Sequence, residues 1–193
     1  MQRCKLLPSS NDNNFLFCFD FDQTIVKGHF HHLLYTDKSK FIPSDKQSSF
    51  DIISRTKILL EDPSIGLKHA DKLREVIQLA LHNGHHVAIT SFTSFPESFV
   101  PTLEKLGLSP AEINVIPGFA GYPVASHVRK NDHLRQAMAK FKVKSNNVVW
   151  LIDDDPQNCY KASEEGFNAV QVPVGSNDNS TEYLQEILKA ASR

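Results

Sequence analysis

The sequence predicts an α/β fold: a doubly wound, Rossmann-like and mostly parallel sheet flanked by helices, with a small, partly helical insert after the first strand. Three observations predict it. Near-continuous apolar runs of strand length, Phe15 to Phe19, Val87 to Thr90 and Val148 to Ile152, suit strands buried on both faces. From about Leu67 onward, segments of helical period alternate with strands, which implies parallel strands joined by right-handed crossovers. At 193 residues the chain has room for one sizeable domain rather than two.

In chain order, a polar leader, Met1 to Asn14, runs into the first strand. Lys27 to Gly66 departs from the later rhythm. It is rich in His and Ser, with short helices expected around Phe30 to Tyr35 and Ser49 to Leu60, and reads as an insert or small cap (residues 27–66) within a single domain spanning 1–193. Leu73, Val76, Ile77, Ala80 and Leu81 then form a one-sided helical stripe before the Val87 strand. A shorter helix through Leu103 and Leu106 precedes a strand at Ile113 to Ile116. A second stripe, Leu134, Ala137, Met138 and Phe141, leads to the Val148 strand. Asn158 to Glu165 reads as a helix, Ala169 to Val172 as a strand, and Leu184, Ile187, Leu188 and Ala191 as the last helix. Gly84, Gly107 and Gly166 each follow a helix where its C-terminus calls for a left-handed residue.

Composition narrows the function. Lys plus Arg number 21 against 22 Asp plus Glu, a net charge of -1, so no chain-wide basic field exists to hold nucleic-acid phosphates. Nucleic acid is disfavoured as a partner. Three cysteines, Cys4, Cys18 and Cys159, form no CxxC pair and are odd in number, which fits a reducing interior better than a disulfide framework. Phe15 to Phe19, the longest apolar stretch near the N-terminus, is far shorter than a signal-peptide core or a membrane span. The expectation is a cytoplasmic protein with no membrane attachment.

The chemistry lies where three apolar runs end, on the C-terminal side at which open α/β sheets bind ligands. Phe15 to Phe19 runs into Asp20-Phe21-Asp22-Gln23-Thr24, and residues two apart on extended chain point the same way, so Asp20 and Asp22 both face the crevice. Val148 to Ile152 ends in Asp153-Asp154-Asp155, and Val87 to Ile89 in Thr90-Ser91. Clustered carboxylates repel unless a cation neutralises them, and hard oxygen ligands select Mg²⁺ over zinc or copper. Mg²⁺ held by two or three protein groups keeps positions open for water and substrate phosphate. A phosphorylated substrate, small molecule or phosphoprotein, follows.

These residues resemble the haloacid dehalogenase (HAD) superfamily, in its phosphatase branch. Asp20-Phe21-Asp22-Gln23-Thr24 is similar to its first motif, Asp-x-Asp-x-Thr; Ser91, seven residues beyond Gly84, to the second. Lys130, opening the helix of Asn131 to Leu134, resembles the lysine of the third, and Asp153-Asp154-Asp155-Pro156-Gln157-Asn158 the fourth. The motifs occur in order across Phe15 to Val172. The resemblance implies that Asp20 is a nucleophile carrying an aspartyl-phosphate, and that Asp22 is the acid and base, its backbone carbonyl also binding metal. It implies a Mg²⁺ site of Asp20, Asp22 and Asp154, with Asp153 acting through water or behind the ligands. Ser91, the backbone N–H of Phe92, and Lys130 would hold the phosphoryl oxygens. Asn158 would buttress the fourth-motif loop and Thr24 the first. Ser91 and Thr90 compete for the second-motif hydroxyl; the spacing from Gly84 favours Ser91 and turns Thr90 into the sheet.

Gln23 stands where many relatives carry glycine. Retention of Asp22 favours phosphoester hydrolysis over dehalogenation, because halide departure needs no proton donor. The expected function is a Mg²⁺-dependent phosphomonoester hydrolase with a small or absent cap. The alternative is a binding or regulatory module on the same fold, or a phosphotransferase with little generic phosphatase activity. Neither histidine group, His29, His31 and His32 or His82, His85 and His86, has zinc-ligand spacing, so both read as surface or helix-end residues, with His29 to His32 also following the first motif within reach of a leaving group. Phe92, Phe95, Phe99, Phe119 and Tyr122 pack in the core or line an aromatic mouth. Oligomeric state has no signature in the sequence.

Overall fold

A computed structural model of the chain describes residues 14–35, 51–93, 95–117, 130–175 and 179–193. Its strands are Leu16–Phe19 (β1), His86–Ser91 (β2), Asn114–Pro117 (β3), Val149–Asp153 (β4) and Asn168–Gln171 (β5). They form one sheet in the order β3-β2-β1-β4-β5, every neighbouring pair parallel. The mostly parallel sheet expected from the sequence is thus wholly parallel among the described residues. Burial on both faces explains the near-continuous apolar runs: in β1, Phe17 and Phe19 join one core while Leu16 and Cys18 join the other.

The α-helices of the described residues are Phe30–Tyr35 (α1), Ile52–Glu61 (α2), Ala70–His82 (α3), Phe99–Lys105 (α4), Asn131–Phe141 (α5), Pro156–Glu164 (α6) and Glu182–Ala191 (α7). From α3 and α7 come Leu73, Val76, Ile77, Leu184 and Ile187, which cover the face of Phe17 and Phe19. Leu134 and Ala137 of α5 and Ala162 of α6 cover the other. The glycines read as helix stops adopt left-handed backbone, with φ of +79° at Gly84, +73° at Gly107 and +81° at Gly166.

The segment 27–66 leaves and rejoins the sheet through one closed base. Val26 bridges Leu67 in antiparallel fashion, and the N–H groups of Lys27 and Gly28 donate to Gly66 O and Ile65 O at 2.8 and 3.0 Å. Gly66 sits so tightly there that a Cβ would lie 2.7 Å from Leu60 O. In this segment α2 begins at Ile52, because Asp51, itself in extended conformation, caps it with a side chain that accepts from Ile53 N at 3.1 Å. The other residues of the expected Ser49 helix start, and residues 36–50 generally, lie outside the described residues. His85 departs from its expected surface role. It is buried, its Nδ1 accepting from Phe15 N at 3.2 Å and its ring edge-on to Phe15 and Phe17. Among the described residues no helix is long and apolar enough to cross a membrane.

Candidate active site

The order β3-β2-β1-β4-β5 makes β1 the strand from which the chain first winds outward through β2 and β3 and then returns to start β4 on the other side. Loops diverge at such a switch point and leave a crevice beyond the strand ends. Phe19 of β1 is in register with Ile89 of β2 and Ile152 of β4, so Asp20, Thr90 and Asp153 emerge side by side. A bond from Asp20 N to Ile152 O at 2.8 Å prolongs the ladder to the first acid.

A cavity of about 690 Å³ opens there, lined by Asp20, Asp22, Ser91, Phe92, Lys130 and Asp153 to Asp155, with His29, His31, Thr93, Pro156, Asn158 and Val174. All the sequence-expected site residues meet in it. Ser91 rather than Thr90 faces the space, its Oγ accepting from Thr93 N at 3.2 Å, while Thr90 is fully buried with its Oγ1 3.5 Å from Phe19 O. Thr93 escaped the sequence reading, although the same two-residue period that groups Asp22 with Asp20 also groups Thr93 with Ser91.

The three consecutive aspartates divide into separate tasks. Asp155 is the N-cap of α6, accepting from Gln157 N at 2.8 Å. Asp153 is buried, accepts from Asn158 Nδ2 at 3.0 Å and from Asp155 N at 2.9 Å, and lies 3.8 Å from Lys130 Nζ. Asn158 therefore braces its loop as expected. Asp154 accepts from Gln23 Nε2 at 2.9 Å. In the first motif, Thr24 contributes its N–H, which donates to Phe21 O at 3.3 Å; its buried hydroxyl has no hydrogen-bond partner among the described residues.

Electrostatics concentrate on few atoms. Asp20, Asp153 and Asp154 each present a carboxylate oxygen within 4.8 Å of the others. Burial pushes Asp20 up to about 6, opposed by the adjoining Lys130 ammonium. Burial and the nearby Asp20 charge raise Asp153 to about 6 as well. Burial alone would lower Lys130, but Asp20, Asp153 and Asp154 together outweigh it and hold its pKa above the ordinary lysine value. Lys130 also donates to Thr90 O at 2.7 Å and sits 4.6 Å from the centre of the Phe92 ring. One ammonium faces three carboxylates among the described residues, so the donor set of hard oxygens carries negative charge that a divalent cation would neutralise.

Asp22 lines the same cavity but stands outside the Asp20, Asp153 and Asp154 cluster. Its carboxylate accepts from the N–H groups of Phe30 and His31 at 2.8 and 3.3 Å, at the start of α1, and burial raises its pKa. His31 lies over Phe95, ring centres 5.6 Å apart, with Nδ1 3.5 Å from Thr93 Oγ1. Of the aromatic residues grouped in the sequence, Phe92 lines the cavity and Phe99 is in the core. Phe119 and Tyr122 lie outside the described residues.

No protein-family model and no curated protein matches this sequence. Solved structures do match. The N-terminal part of a Bacteroides fragilis protein, containing a phosphatase domain and complexed with Mg, aligns with a TM-score of 0.58 at 15% identity, over 92% of this chain and 40% of that one. This chain therefore spans well under half of that protein part. The HAD domain of a Legionella pneumophila effector protein aligns with a TM-score of 0.57 at 18% identity, over 92% and 95% of the two chains. A phosphoserine phosphatase, described as a phospho-aspartyl intermediate analogue, aligns with a TM-score of 0.51 at 16% identity, over 91% of each. The chain has the haloacid dehalogenase fold. At these identities the likeness concerns architecture; the parallel register of β1, β2 and β4 brings the acids at the ends of β1 and β4 beside the hydroxyl at the end of β2.

Proposed function

We propose that this chain is a Mg²⁺-dependent phosphomonoester hydrolase acting through an aspartyl-phosphate intermediate. The observation that carries the reading is the buried Asp20–Lys130 pair at the end of β1, set beside Asp153 and Asp154 in one cavity. Asp20, with Asp154 and the Asp22 backbone carbonyl, would hold the cation, and the proximity of Asp153 adds a third carboxylate to that neighbourhood. When bound, Mg²⁺ supplies charge neutralisation to the phosphoryl oxygens.

The chain's own residues do the rest. An Asp20 oxygen forms a bond to phosphorus as the bond to the leaving oxygen breaks, and Asp22 gives that oxygen its proton. Asp22 then takes a proton from water, whose oxygen bonds to phosphorus as the acyl-phosphate bond breaks and frees Asp20. A raised pKa suits Asp22 to carry a proton. Ser91, the Phe92 N–H and Lys130 hold the phosphoryl oxygens. The 27–66 segment acts as a small cap, with His29 and His31 facing the leaving group. The substrate is a small phosphorylated molecule or a phosphoprotein.

The test is phosphate release from an aryl phosphate with Mg²⁺ and with chelator, for the wild type, Asp20→Asn and Asp22→Asn. Turnover should require the metal, vanish in Asp20→Asn and fall by about 10²–10⁴-fold in Asp22→Asn. Turnover that survives Asp20→Asn would overturn the covalent route. Product that forms only with an added acceptor and without free phosphate would mark a phosphotransferase.

A further inference from the structure

Gln23 belongs to the first-motif loop and takes no part in the reaction, yet it is held at three atoms. Its backbone is left-handed, φ +58°, a conformation that costs a residue with a side chain about 1 kcal/mol or more. Its N–H donates to Gly28 O at 3.4 Å, and its carbonyl accepts from Lys68 Nζ at 3.1 Å. Lys68 is fully buried and also donates to Pro173 O at 2.6 Å, in the turn whose Val174 lines the cavity. So anchored, Gln23 directs Nε2 to Asp154 Oδ2 at 2.9 Å.

The three clustered carboxylates each have a different partner. Asp20 has Lys130, Asp153 has Asn158 and the Asp155 N–H, and Asp154 has Gln23. Asp154 is the most exposed of the three and the one that repulsion from its neighbours would most easily swing toward solvent. A neutral amide can restrain it without adding a charge that competes with a cation. Groups that orient a metal-binding carboxylate through a hydrogen bond commonly set affinity without touching the metal.

We infer that Gln23 is a positioning residue that holds Asp154 turned toward Asp20 and Asp153, so that the three carboxylates are arranged for a divalent cation before it binds. The inference rests on the proposed cation site. Calorimetric titration with MgCl₂ separates the two: wild type, Asp20→Asn, Gln23→Met and Gln23→Gly are titrated, and each metal-free protein is melted. Gln23→Met keeps length and backbone but lacks the donor, whereas Gln23→Gly also relieves the left-handed strain. Both should bind Mg²⁺ about tenfold more weakly than wild type. Gln23→Gly should melt no lower than wild type, a combination that general loosening of the fold would not produce. Absence of Mg²⁺ binding by the wild type, or undiminished binding by Asp20→Asn, would remove the cation site itself. Binding by wild type that is matched in both Gln23 variants would overturn the role of Gln23 alone.

Discussion

Lys130 shows how much one side chain can carry. Its ammonium, buried at the start of α5, pairs with Asp20, approaches Asp153 at 3.8 Å and donates to Thr90 O, so it joins the ends of β1, β4 and β2. Removing it leaves carboxylates buried without a counter-charge, a change that costs about 3–5 kcal/mol in comparable sites. Lys130→Met should therefore lower the melting temperature of the metal-free protein, and added Mg²⁺ should recover more stability in the variant than in the wild type. A variant that melts like wild type in chelator would show that Lys130 does not neutralise the cluster. The sequence marks Lys130 through its resemblance to the third-motif lysine, but not its pairing with Asp20, which lies 110 positions away and is brought to it by the sheet.

At the scale of elements, the turn after β1 is locked by aromatic packing. Phe21 is fully buried, its ring edge-on to Phe30 of α1 at 5.9 Å and to Phe99 of α4 at 4.8 Å. It thereby couples the first motif to the helix whose N–H groups hold Asp22. Phe21→Ala should cost about 3–5 kcal/mol of stability, read as a lower urea midpoint, by lost burial and the cavity left behind. It should also slow phosphate release, because α1 loses the contact that seats it against Asp22. Normal turnover with reduced stability would place the packing outside the reaction. Nothing in the sequence separates Phe21 from the chain's other phenylalanines, since this role arises from where α1 and α4 come to rest.

Across the whole molecule, the parallel sheet delivers its strand ends to one edge and so gathers like charges. Metal-free, Asp20 and Asp153 titrate near 6. Between about pH 4 and pH 6 the folded protein then holds more protons on these acids than the unfolded chain, so their contribution to stability falls as pH rises through that window. His133, pushed by burial down to about 4, works in the opposite direction, as do His85 and His86, whose pKa values burial also lowers. The overall slope is a contest between the two sets. The gain from Mg²⁺ isolates the acids, because cation and proton compete for the same oxygens. The rise in melting temperature on adding Mg²⁺ should be larger at pH 7 than at pH 5, measured by scanning calorimetry against chelator. An equal rise at both would locate the bound cation away from this cluster.

The sequence by itself determined the alternation of strand and helix, the glycine helix stops and the residues at the ends of β1, β2 and β4, because periodicity, turn chemistry and the two-residue alternation of extended chain act between near neighbours. Asp20 and Asp22 could be read from it for that reason, while Ser91 and Asp154 were singled out by resemblance to the HAD motifs. Only the tertiary structure decided the distant partners of the acids: Asp153 faces Lys130, and Asp154 meets Gln23 from 131 positions away. The same holds for Lys68 bridging two distant turns and His85 buried against Phe15 and Phe17. Such contacts follow from the register of parallel strands and from helix placement across the sheet. Local spacing carries no record of them, because side chains far apart along the chain become neighbours only when the crossovers close.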